Sequence, residues 1–240
     1  AGGTDLMEEE EKEGSYLVIK KIPEMGEIKE EERFLKIGAA CTFTEVLEHP
    51  DTPKIMKEAI SSIASPAIRN LGTMGGNIGN GSSKGDSVLV LFVADAKLRI
   101  VSLRGERIID IDKFYLGRKK LDLREDEIIV EILLPMENLD NYSFEKVAER
   151  QALAISRVAF AGVFAMEGDR ISKVAVAFGA VASTFLRFKA IEEKLIGKTL
   201  EEARALKEEY ISLYDKATDF TEGRVSAEFR KEVCMNLLRD

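Results

Sequence analysis

The sequence predicts an α+β protein of two domains. Short strand-like and helix-like segments alternate through its first half. In the second half three strand-like stretches precede three helical ones, the order expected where helices gather on one face of a sheet. Between the halves Pro135 is followed by a polar run at residues 137–140, which is read as the boundary. The expected domains are residues 1–137 and 138–240, of the usual domain size.

Residues 16–20 and 34–38 carry the β-branched and aromatic residues of short strands. The acidic stretch at 8–13 between them and the start reads as an exposed turn. Thr42 can cap a helix running through Glu48, with Glu45 completing a capping box. A second helix is expected from about Pro53 to Ile63, where Ile55, Ala59, Ile60 and Ile63 keep helical spacing. Residues 65–86 show little hydrophobic periodicity but contain Gly72, Gly75, Gly76, Gly79, Gly81 and Gly85, so they read as loop. The apolar run 88–94 reads as a buried helix entered at Asp86 or Ser87. Strands follow at 97–102, 107–109 and 127–134, the last stopped by Pro135. Beyond the boundary, strands are expected at 143–148, 156–166 and 171–181, with Gly168 turning a hairpin between the last two. Helices at 184–195, 200–214 and 226–238 complete the chain.

Composition narrows the function. Apolar residues make up 45% and charged residues 32%, a soluble globular balance. The net charge of −8 disfavours nucleic acid, whose phosphates need a basic surface, and anionic membranes likewise. No apolar run approaches the ~20 residues that span a bilayer. Cys41 and Cys234 stand far apart without a CxxC partner, which excludes an iron–sulfur cluster or structural zinc held by this chain alone. Such free thiols suit a reducing cytoplasm, the expected location. His49, the single histidine, lies in a loop beside Pro50, so neither histidine catalysis nor a metal site is expected.

Two glycine-rich segments remain. In the first, Ala1, Gly2, Gly3, Thr4, Asp5 and Leu6, paired glycines let backbone amides turn inward on an anion, and Thr4 adds a hydroxyl. In the second, Gly72, Gly75 and Gly76 allow close approach of a ligand, while Thr73 and Asn77 offer hydrogen bonds and Asp86 lies downstream. Neither segment matches the P-loop pattern or the strand–GxGxxG–helix unit of a Rossmann fold. Taken singly, each is also compatible with a tight turn.

Taken together, AGGTDL, the later SPAIRNLGTMGGNIGN with Asp86, and EIIVEILLP ending at Pro135 resemble the flavoprotein subunits of molybdenum hydroxylases. Carbon monoxide dehydrogenase medium subunits and the FAD domain of xanthine dehydrogenase belong to that family. Residues from Phe144 to the SAEFR signature ending at Arg230 resemble its C-terminal domain, so the likeness covers nearly the whole chain.

The resemblance implies a p-cresol methylhydroxylase-type FAD-binding domain followed by a small domain of three strands and helices, with FAD bound noncovalently between them. It implies that residues 1–6 and Thr73, Met74, Gly75, Gly76 and Asn77 cradle the pyrophosphate and ribose region, and that Asp86 accepts a hydrogen bond from the ribose or adenine side. Ile63 or Ala64 would pack on the isoalloxazine, with Ile129 as a further apolar contact and the Lys146 ammonium near the ring. Read from the residues alone, Asp86 also suits a helix cap, Lys146 a solvated edge strand, and Ile63 and Ile129 plain core packing. Arg69 is expected to brace the loop without touching the cofactor.

The family further implies an oxidoreductase subunit that relays electrons from a small [2Fe-2S] subunit to NAD+ or another acceptor, while a large subunit carries the molybdenum cofactor, the whole assembling as a dimer of heterotrimers. A strand and helix precede the AGGT turn in the family, so a preceding segment is expected. Ser83, Lys84 and Gly85 depart from the family pattern and leave the loop before Asp86 less defined. The rival readings are a stand-alone flavin reductase of the same superfamily, for which no proton-donating acid can be pointed out, and a nucleotide-binding scaffold without flavin.

Overall fold

A computed structural model describes residues 2–6 and 17–240. Two antiparallel sheets dominate it. In chain order, strands β1 (Ile28–Glu31) and β2 (Phe34–Gly38) precede helices α1 (Phe43–Glu48), α2 (Lys54–Ser61), α3 (Pro66–Arg69), α4 (Met74–Gly79) and α5 (Asp86–Val93). Strands β3 (Lys97–Ser102) and β4 (Gly105–Asp110), helix α6 (Ile111–Phe114) and the small hairpin β5 (Tyr115–Gly117) and β6 (Lys120–Leu121) lead to β7 (Ile128–Pro135). The second half contains β8 (Tyr142–Val147), β9 (Val158–Glu167), β10 (Arg170–Gly179), β11 (Leu186–Arg187), α7 (Lys189–Glu192), α8 (Leu200–Ala205), α9 (Lys207–Ala217) and α10 (Ala227–Arg239).

The first sheet has the order β1-β2-β7-β3-β4, the second β11-β10-β9-β8. Helix α5 is the hinge of the packing. All eight of its residues are buried, because it lies among α2, α4 and the β9–β10 face. One face of the second sheet thus closes the core of the first half, through Phe144, Ala159, Ala161, Val163, Ala175 and Ala177. The opposite face, through Phe160, Val176 and Phe178, packs on Tyr210, Tyr214 and Met235 of α9 and α10. A single-sided helix layer is therefore correct only for the second domain's own helices.

Several local expectations change. Residues 17–20 are not a strand; a 3-10 turn occupies Ile19–Lys21, and Pro23, which has no N–H to give a ladder, opens another. Tyr16 and the acidic stretch 8–13 lie outside the described residues. Residues 186 and 187 are not helical, because they pair with Phe178 and Ala177 at the sheet edge. Burial of Arg187 then fixes the edge: its guanidinium donates to Glu192, to Asp95 and to the Phe92 carbonyl at the end of α5. The helix expected over 200–214 breaks at Leu206, which ends α8 and opens α9. The capping box at Thr42 and Glu45 is present, and Gly168 turns the β9–β10 hairpin at φ +63°. Among the described residues, no helix is long and apolar enough to cross a membrane.

Glu127, just before β7, receives a two-pronged hydrogen bond from Arg107 of β4, at 3.0 and 2.9 Å. That guanidinium and the Arg124 amide hold its carboxyl down, from the ordinary 4.5 to about 2. A carboxyl lowered on folding stabilises the fold above its ordinary pKa, and the contribution is lost as pH falls. We expect the urea midpoint to drop as pH falls from 4.5 to about 2, and Glu127→Gln to remove the part of that slope due to this group. An identical slope in the variant would refute the assignment.

Candidate functional site

The two glycine-rich segments meet. Gly3 adopts φ +69°, a left-handed conformation natural to glycine. Gly2 lies so close to the second segment that a Cβ on it would sit 2.0 Å from the Leu71 carbonyl oxygen. At the end of α4, Asn80 Nδ2 donates to the Asp5 carboxylate at 2.5 Å, across 75 positions of sequence. Residues 2–6 form one wall of a cleft of about 380 Å³, and Thr73, Gly76, Asn77, Gly79 and Asn80 line it opposite them. Ile63, Ala64, Ile68, Gly72 and Phe43 complete its lining. Ala1 lies outside the described residues.

The second segment is a helix, not a loop. Thr73 is the N-cap of α4, its hydroxyl accepting the Gly76 amide at 3.1 Å. Residues three or four apart share a helix face. Met74 and Ile78 therefore point into the core, fully buried, while Gly76 and Gly79 are exposed toward the cleft. A periodicity built from two apolar residues, with bare glycine on the other face, is too weak to register as amphipathic. Read as a helix, the Gly76–Gly79 spacing is the signal that would have added Gly79 and Asn80 to the site. Nothing comparable marks Phe43 or Ile68.

That helix also corrects which amides are open. The amides of Met74, Gly75 and Asn77 donate to Cys41, Ala39 and Thr73 carbonyls at 3.0, 2.9 and 3.0 Å, and that of Gly76 to the Thr73 hydroxyl. The amides at positions 74–77 are therefore all taken within the chain. The open N–H groups belong to the first bend, where no acceptor among the described residues takes those of Gly3 and Thr4. The second bend supplies a surface free of side chains. Gly75 is glycine for packing: a Cβ there would lie 2.6 Å from the Ala39 Cβ, against the end of β2. Met74 and Ile129 are buried in the core and do not line the cleft.

Asp86, Lys146 and the residue before Ile63 form a second cluster. Lys146 of β8 donates to Asp86 Oδ2 at 2.7 Å and to the Ser62 carbonyl at 2.9 Å, and Ser156 donates to Asp86 Oδ1 at 2.7 Å. The Asp86 side chain is 5% exposed and that of Lys146 13%. Burial pushes the Asp86 carboxyl above its usual range, against the lowering pull of Lys146 and Ser156. Asp86 makes no cap bond, since Gly85 is the N-cap of α5, and Lys146 is not a solvated edge residue. Arg69 braces the neighbouring loop as expected, donating to the carbonyls of Ser61, Ile63 and Ala64 at 3.2, 2.7 and 3.1 Å.

The two glycine types separate experimentally. A Cβ added at Gly79 meets no protein atom within 4 Å, so Gly79→Val should fold normally while obstructing the cleft. We expect that variant to keep its melting temperature and lose FAD, whereas Gly75→Val should lose stability through overpacking of about 1–3 kcal/mol. Full FAD binding by Gly79→Val, measured by fluorescence titration, would show that the cleft is misassigned.

Comparison with known proteins identifies the family. Residues 1–137 match the family described as FAD binding domain in molybdopterin dehydrogenase, and residues 143–240 match the CO dehydrogenase flavoprotein C-terminal domain. The chain is 34% identical to the nicotinate dehydrogenase FAD-subunit of Eubacterium barkeri, over 97% of this chain and 82% of that protein. It is 36% identical to the xanthine dehydrogenase FAD-binding subunit of Escherichia coli O157:H7, over 80% and 70%. Among solved structures, carbon monoxide dehydrogenase from Hydrogenophaga pseudoflava superposes with a TM-score of 0.84 at 26% identity, covering 91% of this chain and 77% of that one. With two family matches spanning the fold and a cleft built where its glycine segments meet, the chain belongs to the FAD-binding subunits of molybdopterin-type dehydrogenases, a family of oxidoreductase subunits.

Proposed function

We propose that this chain binds FAD noncovalently in the cleft between residues 2–6 and α4, and relays electrons from a [2Fe-2S] subunit to NAD+ or another acceptor. The observation that carries the reading is the single cleft shared by two segments far apart in sequence and tied by Asp5 and Asn80. The residues present fit a diphosphate. Open amides at Gly3 and Thr4 suit its oxygens, and glycines at 76 and 79 leave room that a Cβ would fill.

When bound, FAD supplies the redox chemistry. The chain's part is to bind, orient and tune. Thr4, Asp5, Leu6, Thr73 and Asn77 would border the phosphate and ribose region, with Ile63 and Ala64 offering the apolar contact for the ring. The Arg69 guanidinium holds that apolar loop in shape. Asp86 and Lys146 form a compensated charge pair beside it, and Ser156 fixes the carboxylate from the second domain. A cation so placed favours negative charge on a neighbouring reduced ring. No acid–base step on an organic substrate is assigned to this chain. The substrate would be chosen by a large molybdenum-cofactor subunit, in a cytoplasmic complex built as a dimer of heterotrimers. The division at about residue 137 would let both domains border the cofactor.

Denaturing the purified chain and identifying the released ligand tests the reading directly. One FAD per chain is expected; ATP, or no nucleotide, would refute it. In the loaded chain, Lys146→Met should lower the flavin midpoint potential by about 30 mV or more, a tenfold change in a two-electron equilibrium. An unchanged potential would remove Lys146 from the electrostatic role while leaving FAD binding intact.

A further inference from the structure

A second cleft, of about 500 Å³, lies where residues 81–84 and Arg118 of the first half face Ala180, Thr221 and Arg224 of the second. Its segment of α4–α5 loop begins immediately after Asn80, so the two clefts are consecutive along the chain. Cations dominate the lining. Arg230 is 6% exposed, and it donates only to the carbonyl and hydroxyl oxygens of Thr221, the hydroxyl at 2.8 Å, while its Nε has no partner. Among the described residues, no carboxylate lies within 4 Å of Arg230, Arg118, Arg224 or Lys84. Among the described residues, Glu222 is the one acid of the lining.

Crowding of like charge has a visible effect. Burial, then Arg157, Arg224, Arg230 and Arg118, push the Lys84 ammonium below its ordinary range. A buried guanidinium that meets only neutral oxygens is costly unless an anion compensates it. Among the described residues, this lining holds four cations without a carboxylate partner, Arg230, Arg118, Arg224 and Lys84, against the single acid Glu222. The rest of the lining is Lys119 with small residues, Gly81, Ser82, Ser83, Ser183, Gly223 and alanines, and among the described residues it holds no aromatic ring on which a base could stack.

We propose that this cleft is a second anion site, which takes a phosphate monoester carried by a small molecule. A monoester brings up to two negative charges at neutral pH and three acceptor oxygens, which matches converging guanidinium and ammonium groups better than the single charge of a diester phosphate. The site does not depend on FAD being the ligand of the first cleft.

NAD+ and NADP+ differ by one phosphate monoester, so they are the probes, with inorganic phosphate as the third. Calorimetric titration of the full chain, with and without FAD, should give NADP+ an affinity at least tenfold above NAD+, weakening with added salt. Arg230→Ala would also unseat Thr221, so the deciding variant joins Lys84→Ala and Arg118→Ala, both exposed. It should abolish the preference without lowering the melting temperature. Competition by inorganic phosphate supports the site, and phosphate binding without NADP+ binding supports it with free phosphate as the source. Equal affinity for both dinucleotides, or a preference that survives the double variant, overturns the proposal. Binding of none of the three overturns it as well, and gives the cleft to an acidic segment of a partner. Loss of FAD with NADP+ binding retained would count against the flavin reading alone.

Discussion

The contact between the first bend and the α3–α4 segment is the constraint on which the site depends. Gly2 has no side chain because the Leu71 carbonyl occupies the space one would take. Asp5 reaches Asn80 through a charge-assisted hydrogen bond, shorter and stronger than a neutral one. Together they hold the open amides of the first bend opposite the bare face of α4. The helix can present that face because its other side is anchored: Met74 and Ile78 are buried, and Gly75 lets the backbone press on Ala39. The cleft is thus made mostly by leaving side chains out, while packing behind it keeps the backbone rigid.

Charge is handled differently at the join between the two halves. Lys146 and Ser156 come from the second sheet, Asp86 from α5 of the first half, and all three groups are satisfied. Arg187 repeats the theme at the far end of α5, bonded to the Phe92 carbonyl, Asp95 and Glu192. Burial would raise the Asp95 carboxyl, but Arg187 and Lys189 together outweigh it and hold the carboxyl below its usual range. Removing one partner from a buried pair such as Lys146–Asp86 or Arg187–Glu192 typically costs about 3–5 kcal/mol, more than the intact pair contributes, because the other charge stays buried and unpaired. These clusters therefore set the relative placement of the sheets more than they add stability. The basic cleft around Arg230 contrasts with both, since Arg230, Arg118, Arg224 and Lys84 have no carboxylate within 4 Å among the described residues.

Much of this was legible in the sequence. Many element types followed from local chemistry: the Thr42–Glu45 capping box, the strand at Lys97–Ser102, the apolar run of α5 and the Gly168 hairpin lie where pattern and turn residues put them, and the strand expected at 127–134 runs Ile128–Pro135, including the proline expected to stop it. The family signatures marked the segments that build the cleft, since Thr73, Gly76, Ile63 and Ala64 line it with residues 2–6. Signals of this kind act over a few residues, so a sequence carries them openly.

What the sequence by itself determined is the order of most strands and longer helices, the Thr42–Glu45 capping box and the positions of two glycine-rich bends. Only the tertiary structure decided what each glycine is for, since Gly75 and Gly76 are neighbours in sequence but face Ala39 and the cleft respectively. It likewise decided that Leu186–Arg187 joins a sheet edge instead of a helix, and that Lys146 meets Asp86. Hydrogen-bond partners and excluded volume depend on residues far away along the chain, and local propensity contains no term for them.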